Sequence, residues 1–333
     1  MPQKNRTVKG VLGGLLGLVG LSAVAGVLVT ATVTPALAIA GAAGTQALEV
    51  FDKLPSYLQP DAPMEPSTFY GTNDIGEPFA MATFFDQNRT PVTFDQIAPV
   101  MYDALLSSED KSFYEHGGIN IAATAQALLE NVTNTSSRGA STISQQYVKN
   151  VLIQQCEQTV SSTDQDYDSK IADCWWKAAN AEGTEGLERK LQEMRYAIQI
   201  EKDYSKNEIL LGYLNIASFG GTIYGIEAAA NRYFSTTAAN LTVAQAATLA
   251  GMVQNPNSYR IDKVEGSMTN SAGEVVNSEA DGYAVAKDRR HYVLGRMLDD
   301  GKITQAQYDE ADASAVEPVL TEPIQGCQAA GDN

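Results

Sequence analysis

From residue 94 onward, apolar positions return every three or four residues between short polar breaks, the period of helices buried along one side. Ile97, Val100, Met101, Ala104 and Leu105 form the first such run, which stops at the polar Ser107-Ser108-Glu109-Asp110. Asn120 is placed to cap a second helix, whose apolar side includes Ala125, Leu128, Leu129 and Val132. Three later starts pair a hydroxyl with Glu or Gln three residues on: Ser205 with Glu208, Thr242 with Gln245, and Thr304 with Gln307. Gly301 closes a helix containing Tyr292, Val293, Arg296, Met297 and Leu298. Strand-like alternation is scarce, and residues 49–92, with several Pro and Gly, read as an extended connection with a short strand or two. Two segments interrupt the helical pattern. Glu157 to Glu188 sets eight acidic residues against two lysines, and Ser267 to Gly282 is rich in Ser, Asn, Gly and acidic residues. Both read as surface loops of low helix tendency, inside a mainly α-helical domain.

The start of the chain follows a different pattern. Lys4, Arg6 and Lys9 precede a stretch from Gly10 to Leu48 without a charged residue, and Val11 to Val29 as a helix would cross most of a ~30 Å hydrocarbon layer. Basic residues before the span predict an inside N-terminus and an outside body. The competing reading is a cleaved signal peptide, since Ala36-Leu37-Ala38 resembles a processing site. The length of the Gly/Ala-rich run favours an anchor. The expected division is thus residues 1–9 as a cytoplasmic N-terminus, 10–40 as a single transmembrane helix and 41–92 as an extracytoplasmic connection.

Composition narrows the chemistry. The 333 residues hold 23 basic and 40 acidic side chains, a net charge of -17. No basic field is available to displace counterions from a nucleic-acid backbone, so nucleic acid is not an expected partner. Only two histidines exist, His116 and His291, which excludes a histidine-rich metal centre. Cys156 and Cys174 lie close together in the polar, acidic segment, where a disulfide would staple a loop; metal binding is the poorer alternative without Cys-x-x-Cys spacing. Cys327 is left over, which suggests a partner beyond the end of this sequence.

Three clusters carry candidate chemistry. Glu109-Asp110-Lys111-Ser112-Phe113-Tyr114-Glu115-His116-Gly117-Gly118 places acids, aromatics and a histidine just after a helix, although a capped, solvated helix end would also explain it. Arg138 to Lys149 combines a small-residue turn, the hydroxyls of Ser141, Thr142 and Ser144, the amides of Gln145 and Gln146, and a lysine. Free N–H groups at a helix start suit an anion, and Ser141 or Thr142 serves either as a cap or as a ligand group. Lys149 lies seven residues beyond Thr142, so the two share a helix face. Arg189 and Glu193 are four apart, which fits an ordinary helical ion pair or a carboxylate held by a cation beside a phosphorylated substrate.

Together these segments resemble the signature motifs of the peptidoglycan glycosyltransferases, the polymerase modules of bifunctional class A penicillin-binding proteins and their stand-alone relatives. The first motif runs from Glu109 to Gly117, and the second is matched by Gly139 to Gln146 with Lys149. Arg189, Lys190 and Glu193 match the third, Glu208 to Asn215 the fourth, and Tyr224 to Ala230 with Tyr233-Phe234 the fifth. The run Leu241 to Ala247 with Leu249-Ala250-Gly251 also fits, so the likeness covers roughly residues 94–304 in the family's order. The acidic insertion and the polar continuation after Pro256 depart from the pattern; the linker, cysteine-bearing insertion and anchor look like those of actinobacterial members.

The resemblance implies a two-lobed, mainly α-helical domain over residues 93–310, with a lysozyme-like head lobe and a smaller membrane-proximal jaw lobe. Residues 311–333 would begin a C-terminal linker, with the transpeptidase domain absent. It implies inverting transfer that polymerises lipid II into β-1,4-linked glycan and releases undecaprenyl pyrophosphate. Glu109 carries over as catalytic base and Glu193 as the second essential carboxylate. Lys149, Arg189, Lys190, Ser141, Thr142, Gln145 and Gln146 carry over to the donor and its pyrophosphate, and Asp110, Phe113, His116, Asn215, Gly225, Glu227 and Tyr233 to structural support. Mg2+ or Mn2+ near Glu193 is the implied cofactor, without an organic one. Implied partners are lipid II, the lipid-linked growing glycan, the membrane bilayer, and proteins of cell-wall elongation or division; the implied location is the cell membrane, single-pass, with the catalytic domain on the extracytoplasmic face. The alternatives are a lysozyme-like hydrolase or lytic transglycosylase, and a non-enzymatic cell-wall scaffold.

Overall fold

The computed structural model describes residues 51, 54–73, 75–121, 124, 141–161, 163–180 and 183–327. In chain order, the helices among them are Pro99–Glu109 (α1), Ile143–Gln158 (α2), Tyr167–Ala179 (α3), Gly183–Asp203 (α4), Lys206–Ile216 (α5), Ile226–Phe234 (α6), Val243–Met252 (α7), Pro256–Tyr259 (α8), Ala284–Asp299 (α9) and Gln305–Ala313 (α10). Local sequence explains where they start. Pro99 opens α1 at a position whose N–H has no intrahelical partner. Reciprocal caps open α5 with Ser205 and Glu208, α7 with Thr242 and Gln245, and α10 with Thr304 and Gln307. Thr142 and Gln145 form the same box at α2. Helix α9 ends where Gly301 N–H donates to Leu298 O and Lys302 N–H to Met297 O, which satisfies two carbonyls of the last turn.

Helix α7 sits at the centre, packed against α1 and α9, which also touch each other. Its Ala246, Ala247, Leu249 and Ala250 are fully buried, and the small side chains let the neighbouring helices come close. One continuous apolar cluster runs from Leu58 through Met101, Leu105, Ile143, Ile200, Leu210 and Leu249 to Met297 and Val316. The chain after α10 returns over α6, where Val319 N–H donates to Tyr233 O and Thr321 N–H to Arg232 O.

Strand content is small. Ser67–Thr72 (β1), Pro78–Phe84 (β2) and Gly326–Cys327 (β5) form an antiparallel sheet in the order β1-β2-β5, while Met268–Thr269 (β3) and Val275–Val276 (β4) make a two-residue ladder. The β1–β2 hairpin matches the strand or two expected between residues 49 and 92, and the β3–β4 hairpin occupies the expected polar loop. The acidic insertion is a correction. Instead of a loop it contains α3, and Cys174 of that helix is disulfide-bonded to Cys156 of α2 with Cα atoms 5.7 Å apart. Lys170 sits 2.7 Å from Asp164 and 3.1 Å from Asp166, so local ion pairing and the staple offset the poor helix tendency.

Of the expected fold class, the mainly α-helical character holds. The single transmembrane helix, and with it a single-pass cell-membrane location, is corrected: no helix among the described residues is long and apolar enough to cross a membrane. The longest of them, α4, has 21 residues but is studded with charges from Glu185 to Asp203. Residues 10–40, on which that expectation rested, lie outside the described residues, as do most of the second predicted helix after Asn120 and the Gly139-Ala140 turn. Residues from Ser56 onward group as one compact unit, whose described residues share one core. Of the preceding unit, Met1–Pro55, only Phe51, Leu54 and Pro55 are described.

Candidate active site

Glu109 is the last residue of α1, and its carboxylate is held from two sides. Oε2 accepts from Gln146 Nε2 of α2 at 3.1 Å, and Oε1 accepts from Arg289 Nη2 of α9 at 2.9 Å. Tyr213 of α5 orients the amide, its hydroxyl donating to Gln146 Oε1 at 2.9 Å. Burial, with a smaller push from Glu109, raises the Tyr213 phenol far above its usual value, so it remains a donor. The Arg289 guanidinium is steered by two neighbours. Its Cζ lies 4.6 Å from the Tyr292 ring centroid, and Gly251 leaves it room, because a Cβ there would stand 2.9 Å from Arg289 Cγ.

Asp110, next in the chain, is turned inward and buried. It accepts from His116 Nε2 at 3.0 Å and from the backbone N–H of Ile143 at 3.0 Å, a carboxylate at the first turn of α2. The hydroxyl of Thr142 donates to Gly118 O at 2.7 Å, so the loop after Glu109 is tied to the start of α2 by side chains from both. Glu201 of α4 closes the arrangement: it bonds Ser144, stands 3.9 Å from His116 Nδ1 and is 2.6 Å from Lys206. Lys206 also donates to His116 O at 2.6 Å and lies 4.4 Å from the ring centroid of the fully buried Phe113.

A cationic group forms beside this framework. Glu193 of α4 is buried and accepts from Arg189 Nη1 at 2.8 Å and from Lys190, whose ammonium also donates to Ser141 Oγ at 2.7 Å. Lys149 of α2 is electrostatically coupled to Glu193, Lys190, Arg189 and Glu109. Burial pushes its ammonium below the usual lysine value of 10.5; Lys190 and Arg189 add to that push, while Glu193 and Glu109 oppose it. Arg189 and Lys190 thus bond the buried Glu193, while Lys149 feels the charge of both Glu193 and Glu109, an arrangement whose cations outnumber its carboxylates and suit an anion.

The sequence-derived candidates fall into distinct places. Glu109, Gln146, Lys149, Ser141, Arg189, Lys190 and Glu193 come together. Thr142 and Gln145 are buried in the reciprocal cap of α2, Gln145 accepting from Thr142 N–H at 2.9 Å. Asn215 clamps the backbone of Val92 from both sides, at 3.0 and 2.9 Å. Gly225 opens α6 at φ 77°, where a Cβ would stand 2.9 Å from Asn215 O. Glu227 accepts from Ala238 N–H at 2.7 Å, and buried Tyr233 donates to Phe219 O at 2.7 Å. Sequence reasoning missed Arg289, Glu201, Lys206 and Tyr213. Tyr213 lies inside the fourth motif, and Arg289-Arg290 is a paired-arginine signal on a helix otherwise read for its apolar side.

Among the described residues no group of three or more His, Cys, Asp or Glu side chains gathers where a metal ion would sit. Both oxygens of Glu193 face cations, which is a poor donor set for Mg2+ or Mn2+.

Comparison with known proteins matches residues 76–298 to the transglycosylase family. The chain is 35% identical over 232 residues to penicillin-binding protein 1A/1B of Bacillus subtilis, covering 69% of this chain and 20% of that protein. It is 33% identical over 241 residues to penicillin-binding protein 1A of Escherichia coli, covering 71% and 22%. The chain therefore spans about a fifth of the length of these curated relatives. A crystal structure of penicillin-binding protein 1A from Haemophilus influenzae aligns over 79% of this chain and 22% of that one at 18% identity, with a TM-score of 0.38, too loose a likeness to support an argument. These matches lend no support to a specifically actinobacterial origin.

Proposed function

The chain belongs to the transglycosylase family, and from that premise we propose that it polymerises lipid II by inverting glycosyl transfer from a lipid-linked glycan donor. The observation that carries the reading is Glu109, fixed between Gln146 and Arg289 beside the Lys149, Arg189 and Lys190 cations. An alcohol is a poor nucleophile until its proton is accepted during attack, and Glu109 takes that proton from the 4-hydroxyl of the acceptor sugar. The new β-1,4 C–O bond forms as the anomeric C–O bond to pyrophosphate breaks, with inversion. The electron pair leaves on the lipid pyrophosphate, whose growing charge the three cations stabilise. Glu193 positions Arg189 and Lys190 for that task, and Ser141 orients the Lys190 ammonium.

A guanidinium and an amide donor on Glu109 suit a carboxylate that accepts a proton, whereas a hydrolase of the lysozyme type needs a carboxylic acid that donates one. Because both Glu193 oxygens face cations, turnover that persists after chelation with EDTA is the expected result.

The test is polymerisation of radiolabelled lipid II by purified Glu109→Gln protein. Glycan synthesis should fall by about 10²- to 10⁴-fold with the circular dichroism spectrum unchanged. Polymer at the wild-type rate would remove Glu109 from the role of base.

A further inference from the structure

A second polar site lies at the other end of α2. Glu157 is eight residues beyond Lys149 on that helix, about 12 Å along its axis. It lines a cavity of about 560 Å³ together with Asp86, Tyr167, Trp175, Tyr224 and Pro256. That volume lies within the range of small-ligand sites. Among the described residues, the lining holds two carboxylates and three aromatic rings that carry a polar group, and no Lys, Arg or His. Arg89 stands behind the wall, bonded to Gln87 Oε1 and Met64 O, and lines a smaller adjoining void.

Glu157 is built into this wall. Gln87 Nε2 donates to its Oε2 at 2.6 Å and Trp175 Nε1 to its Oε1 at 2.7 Å, which fixes the carboxylate in a buried position. The Cys156–Cys174 disulfide joins the residues immediately before Glu157 and Trp175, so the staple holds the indole against the carboxylate. Asp86 is exposed and has no hydrogen bond or ion pair among the described residues. Burial pushes the Glu157 carboxyl above its usual value, Asp86 adds to that push, and the bonds from Trp175 and Gln87 and the charge of Arg89 oppose it. An additional cation would relieve both the desolvation and the repulsion. The rings are suited to the same charge, and Arg89 Cζ already stands 5.4 Å from the Tyr224 centroid.

We propose that this cavity is a binding site for an alkylammonium group, with Glu157 and Asp86 as its charge partners and Trp175, Tyr167 and Tyr224 as its walls. The ammonium comes from a lysine-like side chain of a short peptide or from a free diamine, and the same chemistry recognises both. This site stands apart from glycosyl transfer, and polymerisation is not its readout. The chain's net charge of -17 favours approach of such a ligand.

Only two tryptophans exist, Trp175 and Trp176, so Trp176→Phe leaves Trp175 as the sole fluorescent reporter. That protein is titrated with an N-acetylated, C-amidated tripeptide containing one lysine, the same peptide acetylated on its side-chain amine, 1,5-diaminopentane, and a trimer of N-acetylglucosamine. The lysine peptide or the diamine should change Trp175 emission saturably, and the tighter of the two identifies the source. Asp86→Asn, a surface change, should weaken that binding by about tenfold, and Glu157→Gln by more. Equal binding of the acetylated peptide, binding of the neutral saccharide alone, or no saturable change with folded protein would overturn the proposal.

Discussion

Arg289 decides more about Glu109 than any residue near it in sequence. It supplies the sole cation bonded to that carboxylate among the described residues, at 2.9 Å. Arg289→Ala should lower kcat for glycan synthesis by about 10- to 100-fold with a smaller effect on KM, because the contact positions Glu109, the proposed base, and not the donor. Gly251→Ala probes the same contact from behind. A Cβ there collides with Arg289 Cγ, so kcat should fall in the same direction while thermal stability changes little; an unchanged kcat would separate Gly251 from the site. Lys149 gives a pH signature. Its ammonium titrates below 10.5, so binding of a pyrophosphate-bearing inhibitor should weaken as pH rises through that lowered value, and Lys149→Ala should abolish that alkaline limb. For stability the sign is opposite. A lysine with a depressed folded pKa costs stability while both states hold the proton, and that cost is relieved as pH rises through the folded value. Glu109, Lys149, Arg189, Lys190 and Glu193 stood out as polar clusters in short segments, and only the resemblance to the glycosyltransferases gave them roles. Arg289 did not stand out, because its meaning depends on a partner 180 positions away.

At the scale of elements, α2 links the two polar sites. Its first turn carries Gln146 and is set by the Thr142–Gln145 box and by Asp110, while its last turn carries Cys156 and Glu157. Thr142→Ala should cost about 1 kcal/mol in denaturant unfolding and should also depress glycan synthesis, since Gln146 moves with the turn. The same four-residue pattern that predicts three other helix starts is present in Thr142-Ile143-Ser144-Gln145. Sequence alone leaves that pattern open between a cap and a ligand group, because the surrounding hydroxyls and amides offer a second meaning. The acidic insertion failed as a loop for a different reason. Local tendency there is poor, but a covalent bond to α2 and the Trp175–Glu157 contact supply what local tendency lacks. Replacing both Cys156 and Cys174 with Ser should cost about 3 kcal/mol for a closed loop of this size and should loosen α3 before the rest of the protein. Amide hydrogen exchange, faster in residues 167–179 than in α7, is the measurement.

Over the whole molecule, one core joins elements from Leu58 to Val316, which predicts a single cooperative unfolding transition for residues from Ser56 onward. Leu249→Ala, at the centre of α7, should lower stability by about 2–5 kcal/mol and should shift far-ultraviolet and tryptophan signals together. Two separated transitions would mean that the core is not continuous. The helical class was legible from periodicity alone, since each amphipathic stretch declares the face it buries. The β2–β5 pairing of Ala82 with Cys327 was not, because two-residue strands have no alternation to detect. The bond between Glu109 and Arg289 also has a consequence in time. Synthesis proceeds from the N-terminus at about 5–20 residues per second, so roughly 10–40 s separate the appearance of the carboxylate from that of its guanidinium partner. A nascent chain that already displays α1, α2 and the Lys149 cluster still lacks the contact that aims Glu109. Helix α9, the last long helix among the described residues, completes the site, and a product cut short before it should show no glycan synthesis.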